Sequence, residues 1–277
     1  MGIIAGTGAA VTGLPCTTRW QFEETTNSPE GVCSASAGGP IRRAGNVDYK
    51  GQTVSYGVAP PTGYLVGDTF RFLAGTSGSK GIDTGVAGSI VTRTDVFWDQ
   101  SKGGYIYFAN QFASANGTLD YGTAAAADTA NPTGKVSRSC KAGFGAAGAT
   151  ELTDLTKMHL VMVNKARPYV TSSTAGLVKR VAGNFDAFFE VTALIDDPLD
   201  ATIPVKNSEN IVKLYTDATY FWELKWMYIT HVGEALEIEG SGYYTKVIKG
   251  AFSANDGSGD GHVKTPGVSP LYVFGSA

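Results

Sequence analysis

The amino-acid sequence contains an internal repeat that spans about half of the chain. Residues 32–48 read VCSASAGGPIRRAGNVD and residues 170–186 read VTSSTAGLVKRVAGNFD, and the two segments align without a gap at a separation of 138 residues in a chain of 277. The identical pairs are Val32 with Val170, Ser34 with Ser172, Ala37 with Ala175, Gly38 with Gly176, Arg42 with Arg180, Ala44 with Ala182, Gly45 with Gly183, Asn46 with Asn184 and Asp48 with Asp186. A repeat of this length indicates two copies of one structural unit. We therefore predict a first domain at 1–130 that includes an N-terminal arm, a second domain at 138–277, and a linker at 121–142.

The composition favours an all-β fold. Glycine accounts for 36 of the 277 residues, and Thr, Ser and Ala are also frequent. Because Gly, Asn and Ser form turns readily, this composition is typical of β proteins with many loops. Charged residues make up 17% of the chain and the net charge is −3. This charge argues against a nucleic-acid reader built on a basic patch, because no Lys/Arg cluster is larger than Arg42-Arg43.

The sequence lacks the marks of a membrane or secreted protein. No apolar run reaches the roughly 18 residues that a membrane-spanning helix needs. The N-terminal segment has no basic region of the kind that begins a signal peptide. The three cysteines, Cys16, Cys33 and Cys140, show no metal-binding or disulfide-framework spacing. We expect reduced thiols, synthesis in a cytoplasm and no membrane partner.

Alternation of apolar and polar residues predicts most of the strands. Strands are predicted at 19–24, 53–56, 69–72, 157–160, 185–195 and 219–230, and hairpins at 89–98 with 105–112 and at 235–239 with 243–249. In 219–230, the side chains of Trp222, Leu224, Trp226 and Tyr228 are predicted to share one face. A short helix is predicted at 208–216 with Ser208 as its N-cap, and a second one starting at Thr150. The expected fold class is all-β with one or two short helices, arranged as two tandem homologous β-sandwich domains.

The motifs that suggest chemistry are incomplete. GFGAAG at 143–148 matches a dinucleotide fingerprint in form, but it lacks the preceding apolar strand and the following helix that this fingerprint requires. Asp256–Gly261 resembles the start of a calcium loop, yet Gly267 stands where the bidentate Glu is needed. The histidines His159, His231 and His262 have no zinc spacing, and the adjacent carboxylates Glu23-Glu24 face opposite sides of a strand. We therefore predict no enzyme, no catalytic residues, no cofactor and no metal site.

Aromatic residues leave a binding function open. Trp98, Tyr105, Tyr107, Trp222, Trp226, Tyr243 and Tyr244 are of the type that forms carbohydrate platforms. Most of them fall at strand spacing, which favours core and interface positions instead.

Several segments resemble the tail tube proteins of tailed bacteriophages. The resemblance lies in AGNVDYKGQTVSYG at 44–57, in GDTFRF at 67–72, and in the long hairpin at 88–118, GSIVTRTDVFWDQSKGGYIYFANQFASANGT. In the second copy it covers 182–192 and 218–257, where AGNFDAFFEVT replaces the first motif. The resemblance implies β-sandwich domains that assemble into rings of sixfold symmetry. A subunit with two tandem domains would complete such a ring as a homotrimer with pseudo-sixfold symmetry.

This resemblance implies a structural virion protein located in the tail. Stacked rings would form a tube that conducts DNA during ejection, and the partners would be copies of this chain, other tail or neck proteins, and DNA in passage. We expect the wall of such a conduit to carry acidic, Ser, Thr or Gly side chains, because fixed Lys and Arg would bind phosphates.

Two other functions compete with the tail tube. A capsid decoration or cement protein would also be β-rich, arm-bearing and trimeric. A duplicated carbohydrate-binding module would bind sugars through the aromatic residues. Specific binding to a glycan on an array, abolished by Trp222→Ala, would favour this function.

Overall fold

A computed structural model of the chain describes residues 2–6, 12–13, 17–31, 41–42, 45–57, 64–76, 80–121, 137–145, 148–171, 176–195, 202–218, 220–236, 244–253 and 272–276. The strands in the first half are β1 Gly2–Gly6, β2 Thr12–Gly13, β3 Thr17–Thr26, β4 Glu30–Gly31, β5 Ile41–Arg42, β6 Val47–Tyr56, β7 Thr69–Thr76, β8 Lys80–Asp83, β9 Ser89–Asp99 and β10 Ile106–Ser114. The strands in the second half are β11 Lys141–Phe144, β12 Thr150–Leu152, β13 Leu155–Asn164, β14 Arg167–Tyr169, β15 Lys179–Val181, β16 Phe185–Ile195, β17 Glu209–Tyr215, β18 Tyr220–Leu236, β19 Tyr244–Phe252 and β20 Tyr272–Ser276. The all-β class predicted from composition is confirmed.

Both predicted helices are wrong. Residues 209–215 form β17, in which Val212 and Leu214 are buried, and Thr150–Leu152 form β12, which pairs with β11. Over so short an apolar run, helical and strand spacing are hard to tell apart, and the β-branched pair Ile211-Val212 favours a strand. The only helical element in the described residues is the single 3₁₀ turn Gln100–Lys102 in the β9–β10 hairpin.

One antiparallel sheet runs through both halves of the chain. Its strand order is β12-β11-β17-β18-β19-β16-β13-β9-β10-β6-β3. Strands from the first half occupy one end of this order and strands from the second half the other, and they meet where β9 pairs with β13. The strands of the two halves thus form one continuous sheet.

The strand pairing of the first half recurs in the second. In the first half Trp20 lies opposite Thr53, Thr53 opposite Asn110, and Asn110 opposite Thr94. The residues 138 positions later repeat this register, with Met158 opposite Val191, Val191 opposite Ile248, and Ile248 opposite Val232. The short strands follow the same scheme, because β11 pairs with β17 and β12 as β1 pairs with β7 and β2.

Irregularities in the strands recur as well. A bulge follows Thr17 in β3 and Leu155 in β13, and the bulge residues Thr18 and Thr156 each donate a side-chain hydrogen bond across the ladder, to Val54 O and Thr192 O, at 3.3 Å. A second pair of bulge residues behaves in the same way: Thr92 donates to Gln111 O at 3.2 Å and Thr230 donates to Lys249 O at 3.3 Å. Bulges are specific features of a strand, so their repetition favours a common origin for the two halves.

Short strands cover one face of this sheet in each half. In the first half, Phe70 and Phe72 of β7 contact Phe112 of β10, with ring centroids 5.4 and 4.6 Å apart. In the second half, Phe144 of β11 lies 6.2 Å from Phe189 of β16. This layered arrangement is sandwich-like, and it leaves the opposite face of β3, β6, β10, β9, β13, β16, β19 and β18 uncovered by these strands. We call that side the open face.

The long strand β18 departs from the predicted alternation. Trp222 and Leu224 point into the core as predicted. Trp226 has a φ of 55°, and the β17–β18 register shifts beside it, so that Met227 and Ile229 take the next core positions and Tyr228 is exposed. A positive φ is a marked departure from extended backbone for a bulky residue, and here it reverses the faces of the strand. The predicted face therefore ends at Leu224.

Candidate assembly interface

The junction between the two halves is a strand pair with a continuous ladder. β9 and β13 pair from Arg93 opposite Val163 to Asp99 opposite Lys157. The paired segments are edge strands of the two repeats, so each repeat uses one edge of its own sheet to bind the other. Such pairing satisfies the backbone groups that an open edge would leave exposed.

The core is shared across this junction. Trp98 of β9 is 2% exposed, and it belongs to the same buried cluster as Met158 and Leu160 of β13. Its indole Nε1 donates to the backbone oxygen of Ser137, 3.1 Å away, which fixes the beginning of the second half against the first. Burial of side chains this large contributes on the order of 2–3 kcal/mol each, so the junction is a substantial part of the core.

An ion-pair group lies over the junction on the open face. Arg93 binds Asp95 through two nitrogens, at 2.6 and 2.8 Å, and the Nε2 atom of His159 lies 3.2 Å from the same carboxylate. Burial acts to raise the pKa of Asp95, but hydrogen bonds from Arg93 and His159 outweigh it and hold the pKa below its usual value. The His159 contact joins the two halves.

A hairpin of the second half extends over the first. Arg180 on β15 is bound through both terminal nitrogens to the carboxylate of Asp48, at 2.6 Å each, and it donates to the hydroxyl of Ser114 at 2.5 Å. Ser114 in turn donates to Asp48 at 2.8 Å. Only 10% of the Arg180 side chain is exposed. This is a bidentate, largely buried ion pair, which is the strong geometry for an Arg–carboxylate contact.

Backbone hydrogen bonds hold the same hairpin in place. The amide of Val47 donates to Gly176 O at 2.7 Å, and the amide of Val178 donates to Val47 O at 2.8 Å. The amine of Lys179 also donates to the side-chain oxygen of Asn116 at 2.9 Å. The hairpin formed by β14 and β15, with the segment that follows Gly176, is therefore bound to the first half by main chain and side chains together. We call it the second-copy clasp.

Electrostatics make Asp48 the anion of this contact. Burial acts to raise its pKa, but the hydrogen bonds from Arg180 and Ser114 and the charge of Arg180 hold the pKa below its usual value. The carboxylate is therefore ionised at neutral pH. Truncation of one partner of such a pair leaves the other charge partly buried, which is strongly destabilising.

The outer strands of the continuous eight-strand portion have one open edge each. Within the described residues, β3 pairs with β6 alone, and β18 beyond Ile229 pairs with β19 alone. Trp20 and Phe22 of β3 are half-buried, whereas the residues at the equivalent positions of β13, Met158 and Leu160, are fully buried at the internal junction. The edge of β3 is thus less covered than its counterpart inside the chain.

Among the described residues, the motifs considered for chemistry do not come together as a site. GFGAAG begins in β11, and the chain continues from it into the strand β12, so no helix follows to bind a phosphate. His159 lies in β13 and His231 in the middle of β18, while His262 and Asp256–Gly261 lie outside the described residues. Glu23 and Glu24 are both exposed on β3. Where the structure describes the chain, no three His, Cys, Asp or Glu side chains come together in a group that would hold a metal ion.

The aromatic residues considered above lie in the core or on the open face where the structure describes them, and Tyr243 lies outside the described residues. Trp98 and Trp222 are buried, so Trp222 does not stack on a sugar and its replacement is no test of carbohydrate binding. Tyr56, Tyr107 and Phe97 form a row on the open face, with centroids 4.5 and 6.4 Å apart. Cys140 is a buried free thiol, and burial raises its pKa to about 12, so it is not a nucleophile.

The two residues of the clasp ion pair, Asp48 and Arg180, lie in the repeated segments, but the sequence does not show that they bind each other. Asp48 and Arg180 are both identical between the two copies. Such identity gives positions that correspond; it does not say that Arg180 of one copy binds Asp48 of the other. The sequence indicated this ion pair only by placing an acidic and a basic residue at matching positions of both repeats.

No protein family model matches this chain, and no curated protein matches it in sequence. The described part of the chain contains no helix with the length and hydropathy that crossing a membrane requires.

Proposed function

We propose that this protein is a structural subunit of a bacteriophage tail tube, which closes into rings of three chains and stacks into a conduit for DNA. The observation that carries the proposal is the internal β9–β13 junction. This junction joins two repeats that have the same strand pairing, head to tail. The edge of β18 that corresponds to β9, and the edge of β3 that corresponds to β13, stay open at the two ends of the sheet.

The relation between the two copies defines how a ring would form. Residues Arg93–Trp98 of β9 correspond to His231–Leu236 of β18, and the residues of β13 paired with them correspond to Trp20–Thr25 of β3. A β18 edge of one chain paired with a β3 edge of the next would repeat the internal junction between chains. This contact is heterologous, and such contacts generate rings when the rotation closes. Three chains would supply six repeats, which agrees with the tail tube resemblance.

The open face supports a conduit that does not retain DNA. Two of its basic groups are paired with acids: Arg93 lies 2.6 Å from Asp95, and Lys249 lies 2.8 Å from Glu190, while Lys50 on the same face is exposed. Paired charges have a weak field at a distance, whereas unpaired Lys and Arg would bind phosphates. We propose that this face lines the tube. This face carries basic as well as acidic side chains, whereas we expected a wall of acidic, Ser, Thr or Gly side chains.

Electron microscopy of the purified chain in negative stain tests the function. A tail tube protein is expected to form rings and stacked tubes, while a capsid decoration protein is expected to appear as isolated trimers without stacking. Monomers across all concentrations and salt conditions would contradict both. A glycan array covers the carbohydrate-binding alternative, with Tyr107→Ala on the open face as the informative variant in place of Trp222→Ala.

A further inference from the structure

The open face carries two grooves that correspond residue by residue. One is lined by residues that include Gln21, Lys50 and Gln111, and the other by residues that include His159, Phe188 and Lys249. Every residue lining the second groove lies 138 positions after a residue lining the first, as His159 follows Gln21 and Lys249 follows Gln111. The two grooves are therefore the same surface of the two repeats.

The first groove has one lining residue without a counterpart in the second. That residue is Arg180, which the second-copy clasp supplies. The clasp belongs to the repeat that follows the first one in the sheet. Within the described residues the second repeat is followed by no further repeat, so a matching clasp over the second groove has to come from another chain.

The first half contains the hairpin that could supply it. β4 and β5 pair with Glu30 opposite Arg42, in the same register in which Pro168 lies opposite Arg180. Arg42 is the residue 138 positions before Arg180. We call the β4–β5 hairpin the first-copy clasp.

The second groove has the features expected of an uncovered acceptor. Phe188 is 45% exposed, although it lies between strands in the middle of the sheet. Asp186, the counterpart of Asp48, is bound by Lys165 at 3.1 Å, and the Lys165 side chain is 65% exposed. Asp48 is instead held by the largely buried, bidentate Arg180. The carboxylate of Asp186 is thus paired with the solvent-exposed Lys165, in the position where Asp48 has the arginine of the clasp.

We infer that the first-copy clasp of one chain binds the second groove of a neighbouring copy of the same chain, with Arg42 paired to Asp186 of the neighbour. The contact would repeat between chains the Arg180–Asp48 pair within the chain. This inference rests on the head-to-tail pairing of chains given under Proposed function and adds to it the ion pair that selects the neighbour.

Charge reversal tests the pair. Sedimentation velocity over a concentration series gives the concentration of half-assembly for the wild type, Arg42→Asp, Asp186→Arg and the double variant. Each single variant is expected to raise this concentration at least about tenfold, since truncation of one partner of a buried charge pair costs several powers of ten in favourable cases. The double variant reverses both charges and is expected to return to within about threefold of the wild type. Lys206→Asp, which reverses the charge of an exposed lysine between β16 and β17, outside both clasps and both sheet edges, is the matched control and is expected to assemble as the wild type does.

The outcomes separate this inference from the proposed function. If the wild type forms rings and both single variants do so equally well, or if the double variant is not restored, the clasp is overturned while the tube function stands. If the wild type never assembles, both are overturned. Circular dichroism of the monomers shows whether Asp186→Arg folds; should it not fold, Arg42→Asp and the milder Asp186→Asn carry the same test, because both are expected to weaken assembly.

Discussion

At the scale of single residues, the repeated Ala-Gly-Asn sequence has a steric cause. A Cβ atom on Gly183 would lie 1.8 Å from the backbone oxygen of Lys165, and one on Gly45 would lie 1.9 Å from that of Asn27. A backbone hydrogen bond at the next residue holds the two chain segments this close. The amide of Lys165 donates to Asn184 O, and the amide of Asn27 donates to Asn46 O. Glycine is needed where the chain returns past the end of β13 or β3, which accounts for its presence in both copies.

Gly183→Ala is therefore expected to lower the free energy of unfolding by about 1–3 kcal/mol, the usual cost of forced overpacking. Urea titration followed by circular dichroism measures the change. Gly31→Ala is the control, since a Cβ there meets no atom within 4 Å, and it is expected to be close to neutral. Equal stability of the Gly183 and Gly31 variants would contradict the steric explanation.

The Asp48–Arg180 pair predicts a pH dependence. Because the pKa of Asp48 is held below its ordinary value of 3.8, the carboxylate stabilises the fold above that pH and the contribution is lost as the pH falls through the lowered value. The free energy of unfolding is expected to be level near neutral pH and to decrease on acidification below about 4. Asp48→Asn is expected to be less stable at neutral pH by on the order of 3 kcal/mol and to show a shallower acid slope. An unchanged slope in Asp48→Asn would mean that this pair does not govern acid stability.

At the scale of secondary-structure elements, strands were predictable wherever one face is buried. Alternation located β3, β13, β16 and the β9–β10 hairpin, because a half-buried strand imposes a period of two on its residues. It failed at β17, where Ile211, Leu214 and Tyr215 imitate helical spacing over seven residues, and at Trp226, where a bulge reverses the faces of β18. A bulge depends on the register of the neighbouring strand, which no local pattern records.

The internal junction also predicts the register in which β18 of one chain pairs with β3 of the next. At the internal junction Phe97 lies opposite His159, so Ala235 of one chain is expected to lie opposite Gln21 of the next. Ala235→Cys combined with Gln21→Cys, in a chain whose own cysteines are replaced, is expected to form a disulfide between chains on oxidation, because directly opposed Cβ atoms lie about 4.5–5.5 Å apart. Non-reducing gel electrophoresis would show covalent oligomers.

Ala235→Cys with Glu23→Cys is the control for this cross-link. Glu23 is two residues out of register on the same face of β3, beyond the reach of a disulfide. Efficient cross-linking of the control pair, or none of the first pair in assembled material, would mean that β18 and β3 do not meet in this register.

At the scale of the whole molecule, the repeat was visible in the sequence but the way its copies join was not. Nine identities over seventeen residues indicate two related units, since they keep one register throughout. They do not show that the sheet continues from β9 into β13, or that Trp98 shares a core with Met158. Those contacts depend on which edges of the two units meet, and edge pairing over long separations leaves no local pattern. The interface is evident only in the folded chain.

The central claim is that chains join each other as the two halves of one chain do. A reconstruction of the assembled protein by electron cryomicroscopy tests it most directly. We expect three chains in each ring, with Val232 of one chain opposite Glu24 of the next, as Thr94 lies opposite Met162 within the chain. Rings in which the β3 and β18 edges remain unpaired, or in which they pair in another register, would contradict it.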